Sequence, residues 1–351
     1  MKKIIIVSHS AGGGGSQRVA VLLANHLAKE GYDVTFYAIH SDKREYELDG
    51  RVYYTYVGTI KSPVKQFNQI IRAWRLKEYI QKMSFDVMIS FVYLEGFLLI
   101  GNHSLKKIYS LRNDPTRFYS TGFFKKLLFS IYRDADYVVF QTPDARDYFD
   151  ESIQRHGVLI ENPIKQDLPV WNEKNHNDEI VAACRISKQK NLKMLIDAFQ
   201  IVLQKNTKYS LAIYGEGELL EQLRMYVTEK GLNKYIEFRG QSSDIYEIMS
   251  NSALFVSSSD YEGISNSMLE AMAIGLPVVC TDCPVGGARM FIEDGKNGFL
   301  SPVNDAEQFA EKILIALDGK TNLHSISTQA QMVRQKLSDD VIYQKWIDIV
   351  E

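Results

Sequence analysis

Residues 2–40 read KKIIIVSHSAGGGGSQRVAVLLANHLAKEGYDVTFYAIH. The run Ile4–Val7 is short, fully apolar and bounded by polar residues, which fits a strand buried on both faces. Four glycines, Gly12 to Gly15, follow it. Next, QRVAVLLANHLAKEG places apolar residues at helical spacing and stops at Gly31, and DVTFYAIH reads as a second strand. Strand, turn, helix, strand is a βαβ unit, and such units build parallel sheets covered by helices.

The alternation continues on both sides of that stretch. FDVMISFV (85–92) and ADYVVFQT (135–142) are further strands, each led in by a helical pattern. The segment 161–179, ENPIKQDLPVWNEKNHNDE, holds two prolines in a dense polar run and reads as an interdomain linker. The pattern then restarts with EIVAACRI, NLKMLIDAFQIVLQKN, YSLAIYGEG and ELLEQLRMYVTEKG. The short strands YIEFRG, SALFVSSS and LPVVCTD follow, and the amphipathic helix DDVIYQKWIDIVE comes last. A chain of 351 residues is long for one domain. We therefore expect two facing doubly wound α/β domains of Rossmann-like form, 1–165 and 166–335, with 336–351 crossing back onto the first. Ligands of such sheets bind at the carboxyl ends of the strands, so the expected site is the interdomain cleft.

Composition narrows the function classes. Apolar residues make up 45% and charged residues 24%, both ordinary for a globular protein. The N-terminal apolar run is too short for a signal peptide, and no run reaches the length of a membrane-spanning helix. Three cysteines, an odd number, point to a reducing compartment. Cys280 and Cys283 form CTDC, but no second pair accompanies them, so small strand-end residues explain them better than a metal or redox centre. Net charge is −2, unevenly spread. Residues 61–133 carry 13 Lys+Arg against 4 Asp+Glu, so the first domain is expected to face an anionic partner.

Three constellations carry the chemistry. In SHSAGGGGSQRVA the glycines let backbone N–H groups approach a phosphate at a helix N-terminus. Gly13 and Gly15 have G-x-G spacing, but Arg18 stands where a dinucleotide fingerprint needs its third glycine, and no G-K-[ST] follows. In CRISKQKN, Arg185 and Lys190 follow a strand and can neutralise a diphosphate. In EGISNSMLE (262–270) two glutamates bracket a small polar loop. Ser267 and Glu270 have capping-box spacing, which accounts for Glu270 locally and leaves Glu262 unexplained.

Together, the Gly-rich turn, RISKQKN, IYGEGE, EGISNSMLEAMAIGLPVV and KNGFL resemble the retaining GT-B glycosyltransferases of family 4. The resemblance covers nearly the whole chain. It implies that Arg185 and Lys190 hold the donor diphosphate, that Glu270 binds ribose hydroxyls and that Glu262 lies beside the donor sugar. It implies further that the backbone of Gly263, Ile264, Ser265, Asn266 and Ser267 touches sugar and phosphate, and that Gly14 and Gly15 close over the phosphate. Gly215 and Gly240 match donor-side segments, the latter near the base. Many members carry a histidine near the reacting carbon. Here that region reads YSLRNDPTRFY, so Arg112, Asn113 and Asp114 are the acceptor-side candidates. Gln17 and Met290 also stand where glutamates are usual.

The implied activity is retaining transfer of a hexose or N-acetylhexosamine from a nucleotide sugar, with UDP the favoured carrier, to a lipid-diphosphate-linked saccharide in surface polysaccharide assembly. No D-x-D follows the carboxyl end of a strand, so no metal and no cofactor beyond the nucleotide-sugar co-substrate is expected. Arg185, Lys190 and the helix near Ser267 would stabilise the leaving diphosphate, and Glu262 would orient the sugar. The competing readings are an epimerase or phosphorylase on the same scaffold and a non-catalytic nucleotide-sugar-binding protein. The segment 121–133, TGFFKKLLFSIYR, combines aromatic and aliphatic residues with Lys125, Lys126 and Arg133. With the basic balance it suggests a peripheral protein on the cytoplasmic face of an anionic membrane, without nucleic-acid partners.

Overall fold

The computed structural model describes residues 1–60, 65–118 and 122–351. Lys61 of the basic window and Thr121 at the start of the amphipathic segment lie outside the described residues. The chain divides into two compact units, Met1–Pro163 with Asp340–Glu351, and Ile164–Asp339.

The first unit is built on a seven-stranded sheet. Its strands are β1 (Lys3–Ser8), β2 (Asp33–Ala38), β3 (Tyr53–Tyr56), β4 (Val87–Ser90), β5 (Lys106–Ser110), β6 (Tyr137–Phe140) and β7 (Gly157–Leu159). They are parallel and lie in the order β3-β2-β1-β4-β5-β6-β7. Ile4 to Val7 are wholly buried, as a strand covered on both faces requires. The helix α1 (Gly15–Lys29) buries Val19, Ala20, Leu23, Ala24, Leu27 and Ala28 along one face. It ends before Gly31, whose φ of +91° is a left-handed value that suits glycine.

β5 has no counterpart among the strands read from the sequence, because its sequence KKIYS opens on two lysines. Lys107 is nevertheless buried, its Nζ 2.5 Å from Asp134 Oδ2. The final helix, Asp339–Val350, contributes to this unit by burying Trp346 beside Phe91, with ring centroids 6.1 Å apart. Lys345 pairs with Glu161 at 2.6 Å, and Lys2 with Glu351 at 2.8 Å.

The second unit holds six parallel strands in the order β10-β9-β8-β11-β12-β13. They are β8 (Glu179–Ala183), β9 (Ser210–Tyr214), β10 (Ile236–Gly240), β11 (Leu254–Ser257), β12 (Val278–Thr281) and β13 (Phe299–Ser301). The helix Leu192–Lys205 packs Leu195, Ile196 and Phe199 into a core shared with Ile213 and Phe309. In both sheets the first strand is interior, with the chain winding to one side and then crossing to the other. The crossing points, between β1 and β4 and between β8 and β11, are where α/β sheets open a crevice for ligands.

The polar segment after Pro163 is not a free linker. Trp171 is buried and donates its indole N–H to the Ser252 carbonyl at 2.8 Å. Arg334 holds the Pro169 carbonyl at 2.9 Å. Prolines and polar residues marked the chain's passage between units, but the apolar anchors Leu168 and Trp171 fasten this segment to the second unit.

Candidate active site

In the second unit, the loops that leave β8 and β11 meet at the crossing point. The turn after β8 bends through Asn191, whose φ of 42° is left-handed. Asn191 Oδ1 caps the following helix by accepting from the Met194 N–H at 3.3 Å. Its Nδ2 donates to Asp260 Oδ1 at 2.6 Å and to Asn304 Oδ1 at 2.8 Å. The Asp260 N–H donates to the Gln189 carbonyl at 2.9 Å, and Ser258 Oγ to the Lys190 carbonyl at 2.8 Å. These bonds set Lys190 opposite Glu262.

The Lys190 ammonium donates directly to Glu262 Oε2. Both side chains are mostly covered, at 14% and 20% exposure. Burial is the largest single influence on the Lys190 pKa and works to lower it, but the Glu262 charge and hydrogen bond together with the neighbouring thiols outweigh it, and the net shift is upward. Ser259 Oγ reaches the same carboxylate oxygen at 3.4 Å. Arg185 stands on the same turn with its side chain exposed. The two cations thus differ: Arg185 is at the surface, and Lys190 is held by a carboxylate.

The Glu262 backbone is fixed on both sides. Its N–H donates to the Pro284 carbonyl at 2.7 Å, and its carbonyl accepts from the Val285 N–H at 3.0 Å. Gly287 completes this clasp, since a Cβ there would lie 1.7 Å from the Gly263 carbonyl oxygen. Glu262, Gly263 and Ser265 line a recess beside the pair, with Met268 and Cys283 among its walls. Burial, with the Glu262 charge, pushes the Cys283 thiol up to about 12, so it is a neutral wall residue.

The cap of the following helix falls two residues earlier than the Ser267–Glu270 spacing suggests. The helix is Asn266–Ile274, and Ser265 is its N-cap, accepting from the Met268 N–H at 3.4 Å. Ser267 sits inside the first turn, its Oγ 3.2 Å from that of Ser265. Glu270 is therefore no capping partner. It is buried a turn further in, where its Oε1 accepts from the Tyr246 hydroxyl at 3.0 Å. Ile264 is buried.

Gly215 and Gly240 have structural reasons of their own. A Cβ on Gly215 would fall 1.9 Å from the Cys184 carbonyl oxygen. The Gly215 N–H donates to the Gly240 carbonyl at 2.7 Å, and Gly240 has a left-handed φ of +70°.

In the first unit, Gly14 is the extended N-cap of α1, and no side chain caps that helix. Gly12 is required by packing, since a Cβ there would lie 2.8 Å from the Glu45 nitrogen. Gly14 and Gly15 thus open a helix whose first N–H groups meet no side-chain cap.

Two of the three acceptor-side candidates are committed inward. Arg112 is buried, donates to Ser110 Oγ at 2.6 Å and to Asn162 Oδ1 at 2.9 Å, and lies against Trp346. Burial lowers its pKa to about 9. Asp114 is buried and accepts from the Thr116 N–H at 2.8 Å. Asn113 alone is partly exposed.

A different cluster occupies the crossing point of this sheet. His9 follows β1, His40 follows β2, and Glu95 opens the turn after β4. His40 Nε2 lies 3.1 Å from Glu95 Oε1, and the His9 and His40 rings are 4.3 Å apart. Glu95 is buried, while His40 keeps an exposed edge. Burial, with the nearby His40, lowers the His9 pKa to about 4, so that ring is neutral at physiological pH. These residues escaped the sequence reading because they are 31 and 55 positions apart along the chain, and only the order β2-β1-β4 joins them. No common signal marks them: His9 directly follows β1, but His40 stands two residues after β2 and Glu95 five after β4.

Comparisons with known proteins fit this architecture. The family model Glycosyltransferase Family 4 matches residues 13–167, and Glycosyl transferases group 1 matches residues 164–333. The chain is 24% identical over 369 residues to an amylovoran biosynthesis glycosyltransferase of Erwinia amylovora, covering 99% of each. It is 27% identical over 245 residues to a poly(ribitol-phosphate) α-N-acetylglucosaminyltransferase of Staphylococcus aureus. That match takes 68% of this chain and 49% of the relative, so it spans about half the relative's length. Among solved structures, Anabaena HepE in complex with UDP and glucose matches with a TM-score of 0.82 at 19% identity, covering 99% of this chain and 98% of that one. With two parallel-sheet units and both family models in succession, the chain belongs to the GT-B glycosyltransferases of the family 4, group 1 type.

Proposed function

We propose that this glycosyltransferase moves a hexose or N-acetylhexosamine from a UDP-sugar, with retention and without a metal, to a lipid-diphosphate-linked saccharide at the cytoplasmic face of an anionic membrane. The observation that carries the donor half is the mostly covered Lys190–Glu262 pair at the crossing point of the second sheet. Breaking the anomeric carbon–phosphate oxygen bond leaves negative charge on the diphosphate. Arg185, Lys190 and the helix starting at Asn266 supply fixed positive potential for it. The acceptor oxygen bonds to the anomeric carbon from the same face, and its proton passes to the departing phosphate. Glu262 orients the sugar. Glu270, tied to Tyr246, meets the ribose. Support comes from the UDP and glucose in the HepE complex and from the α-linkage in the staphylococcal relative's name. The Erwinia relative's polysaccharide role supports a glycan acceptor.

A thermal-shift series with nucleotide sugars tests the donor reading. A ligand at 100 times its Kd stabilises the folded state by about 2.7 kcal/mol, so the true donor should raise the unfolding midpoint most. Slow release of UDP from that sugar is expected without acceptor. If no nucleotide sugar raises the midpoint, the proposal fails, and binding without any UDP release would leave only a binding protein.

On the acceptor side, His40 replaces Arg112 and Asp114 as the candidate. Held by Glu95 through Nε2, it keeps Nδ1 as an acceptor for a hydroxyl hydrogen. His40→Ala is expected to lower transfer by about tenfold or more while leaving acceptor-free UDP release near normal. A parallel fall in both rates would place His40 outside the acceptor site.

A further inference from the structure

The long helix α2 (Lys65–Met83) buries Ala73, Leu76 and Ile80 on its inner face. Its outer face carries Phe67, Ile70 and Trp74 at 59%, 50% and 56% exposure. The spacing of three and then four residues puts these side chains in one stripe over the first half of the helix. Three large apolar groups in a row, one of them tryptophan, are more than the scattered exposed residue every surface shows.

The segment expected to be amphipathic behaves differently. In the helix Gly122–Arg133, Leu128, Ile131 and Tyr132 are buried, so most of its apolar face belongs to the core. Only Phe123 and Phe124 of its first turn are exposed. This helix and α2 pack against the same turn, Glu95–Leu99.

Charge indicates what covers the stripe. The sequence of α2 contains Lys65, Arg72, Arg75, Lys77 and Lys82 with Glu78 as its one acid. An apolar stripe flanked by cations suits an anionic bilayer surface, where tryptophan settles at the headgroup level and lysines reach phosphates. No helix among the described residues is long and apolar enough to cross a membrane, so contact through this face would be interfacial.

We propose that α2 is the element that enters the membrane interface, with Phe67 and Ile70 among the acyl chains, Trp74 at the boundary of acyl chains and headgroups, and Lys77 and Lys82 at the headgroups. This deepens the membrane part of the proposed function and rests on it. The helix Gly122–Arg133 adds only its first-turn phenylalanines.

Trp74 reports on its own position, because Trp171 and Trp346 are buried. The test records tryptophan emission of the full chain with vesicles of phosphatidylcholine alone or mixed with phosphatidylglycerol. Mixed vesicles should shift emission to the blue, and brominated acyl chains should quench it. Added salt should weaken both effects. Phe67→Glu with Trp74→Glu should reduce co-sedimentation by about tenfold or more. The same variant should keep the wild-type midpoint shift with a UDP-sugar, which shows that it folds and separates this surface from the donor site. Co-sedimentation without quenching of Trp74 would overturn the assignment to α2. Absence of co-sedimentation would overturn the membrane contact itself, whatever the donor series shows.

Discussion

Lys190→Ala is expected to reduce transfer by about 100- to 1,000-fold, the range seen when one preorganised donor to a developing anion is removed. The structure adds a second effect. The variant leaves the Glu262 carboxylate mostly covered, with the Ser259 hydroxyl as its remaining side-chain hydrogen-bond partner among the described residues. Breaking a fully buried pair costs about 3–5 kcal/mol, and the partial exposure here moves the expectation to about 2 kcal/mol. Lys190→Met combined with Glu262→Gln separates the two effects: the unfolding midpoint should recover toward wild type while transfer stays low. Because the pair raises the Lys190 pKa, its stabilisation is fully present at neutral pH. On the alkaline side it is lost as pH rises through the elevated value, above the ordinary lysine range. Initial rates and midpoints across pH check both points. Near-normal transfer by Lys190→Ala would remove Lys190 from the site.

Gly287→Ala should be nearly as damaging, although Gly287 carries no chemistry. A methyl group there would overlap the Gly263 carbonyl oxygen, and backbone cannot rotate away as a flexible side chain does. Relief requires moving the loop that fixes Glu262, at a cost of about 1–3 kcal/mol. Where that strain falls on the bound state, donor affinity weakens by about 10- to 100-fold. Gly50→Ala is the control, since a Cβ there meets nothing within 4 Å. Calorimetric titration with the UDP-sugar found in the thermal series measures the difference. Equal affinities for the two variants would show that the 262–263 loop need not keep its position.

The sequence disclosed the parallel architecture because strands covered on both faces must be apolar throughout, as Ile4–Val7 are. It concealed β5 because the Lys107 ammonium is neutralised by Asp134, 27 residues away, and no local pattern records that pairing. The passage between units was visible in its prolines, but the packing of Trp171 under Ser252 depends on a partner 81 residues on. Spacing and family resemblance singled out Arg185, Lys190, Glu262 and Glu270, and of these Lys190 and Glu262 meet in an ion pair. The helix start was misread because two serines compete as N-cap, and φ/ψ decides between them. The His9–His40–Glu95 cluster could not be read at all, since strand order is a property of the sheet.

The loop after β11 is tied by main-chain bonds to its neighbours on both sides: Asp260 to Gln189 after β8, and Glu262 to Pro284 and Val285 after β12. Bonds of that kind do not depend on which side chains stand on the loops. Wall residues of the recess whose side chains make none of those bonds, such as Met268 and Cys283, can therefore be exchanged over evolutionary time while the frame that carries Lys190 and Glu262 keeps its shape. A scaffold so arranged can acquire a new sugar preference through single substitutions in the recess walls without first being restabilised.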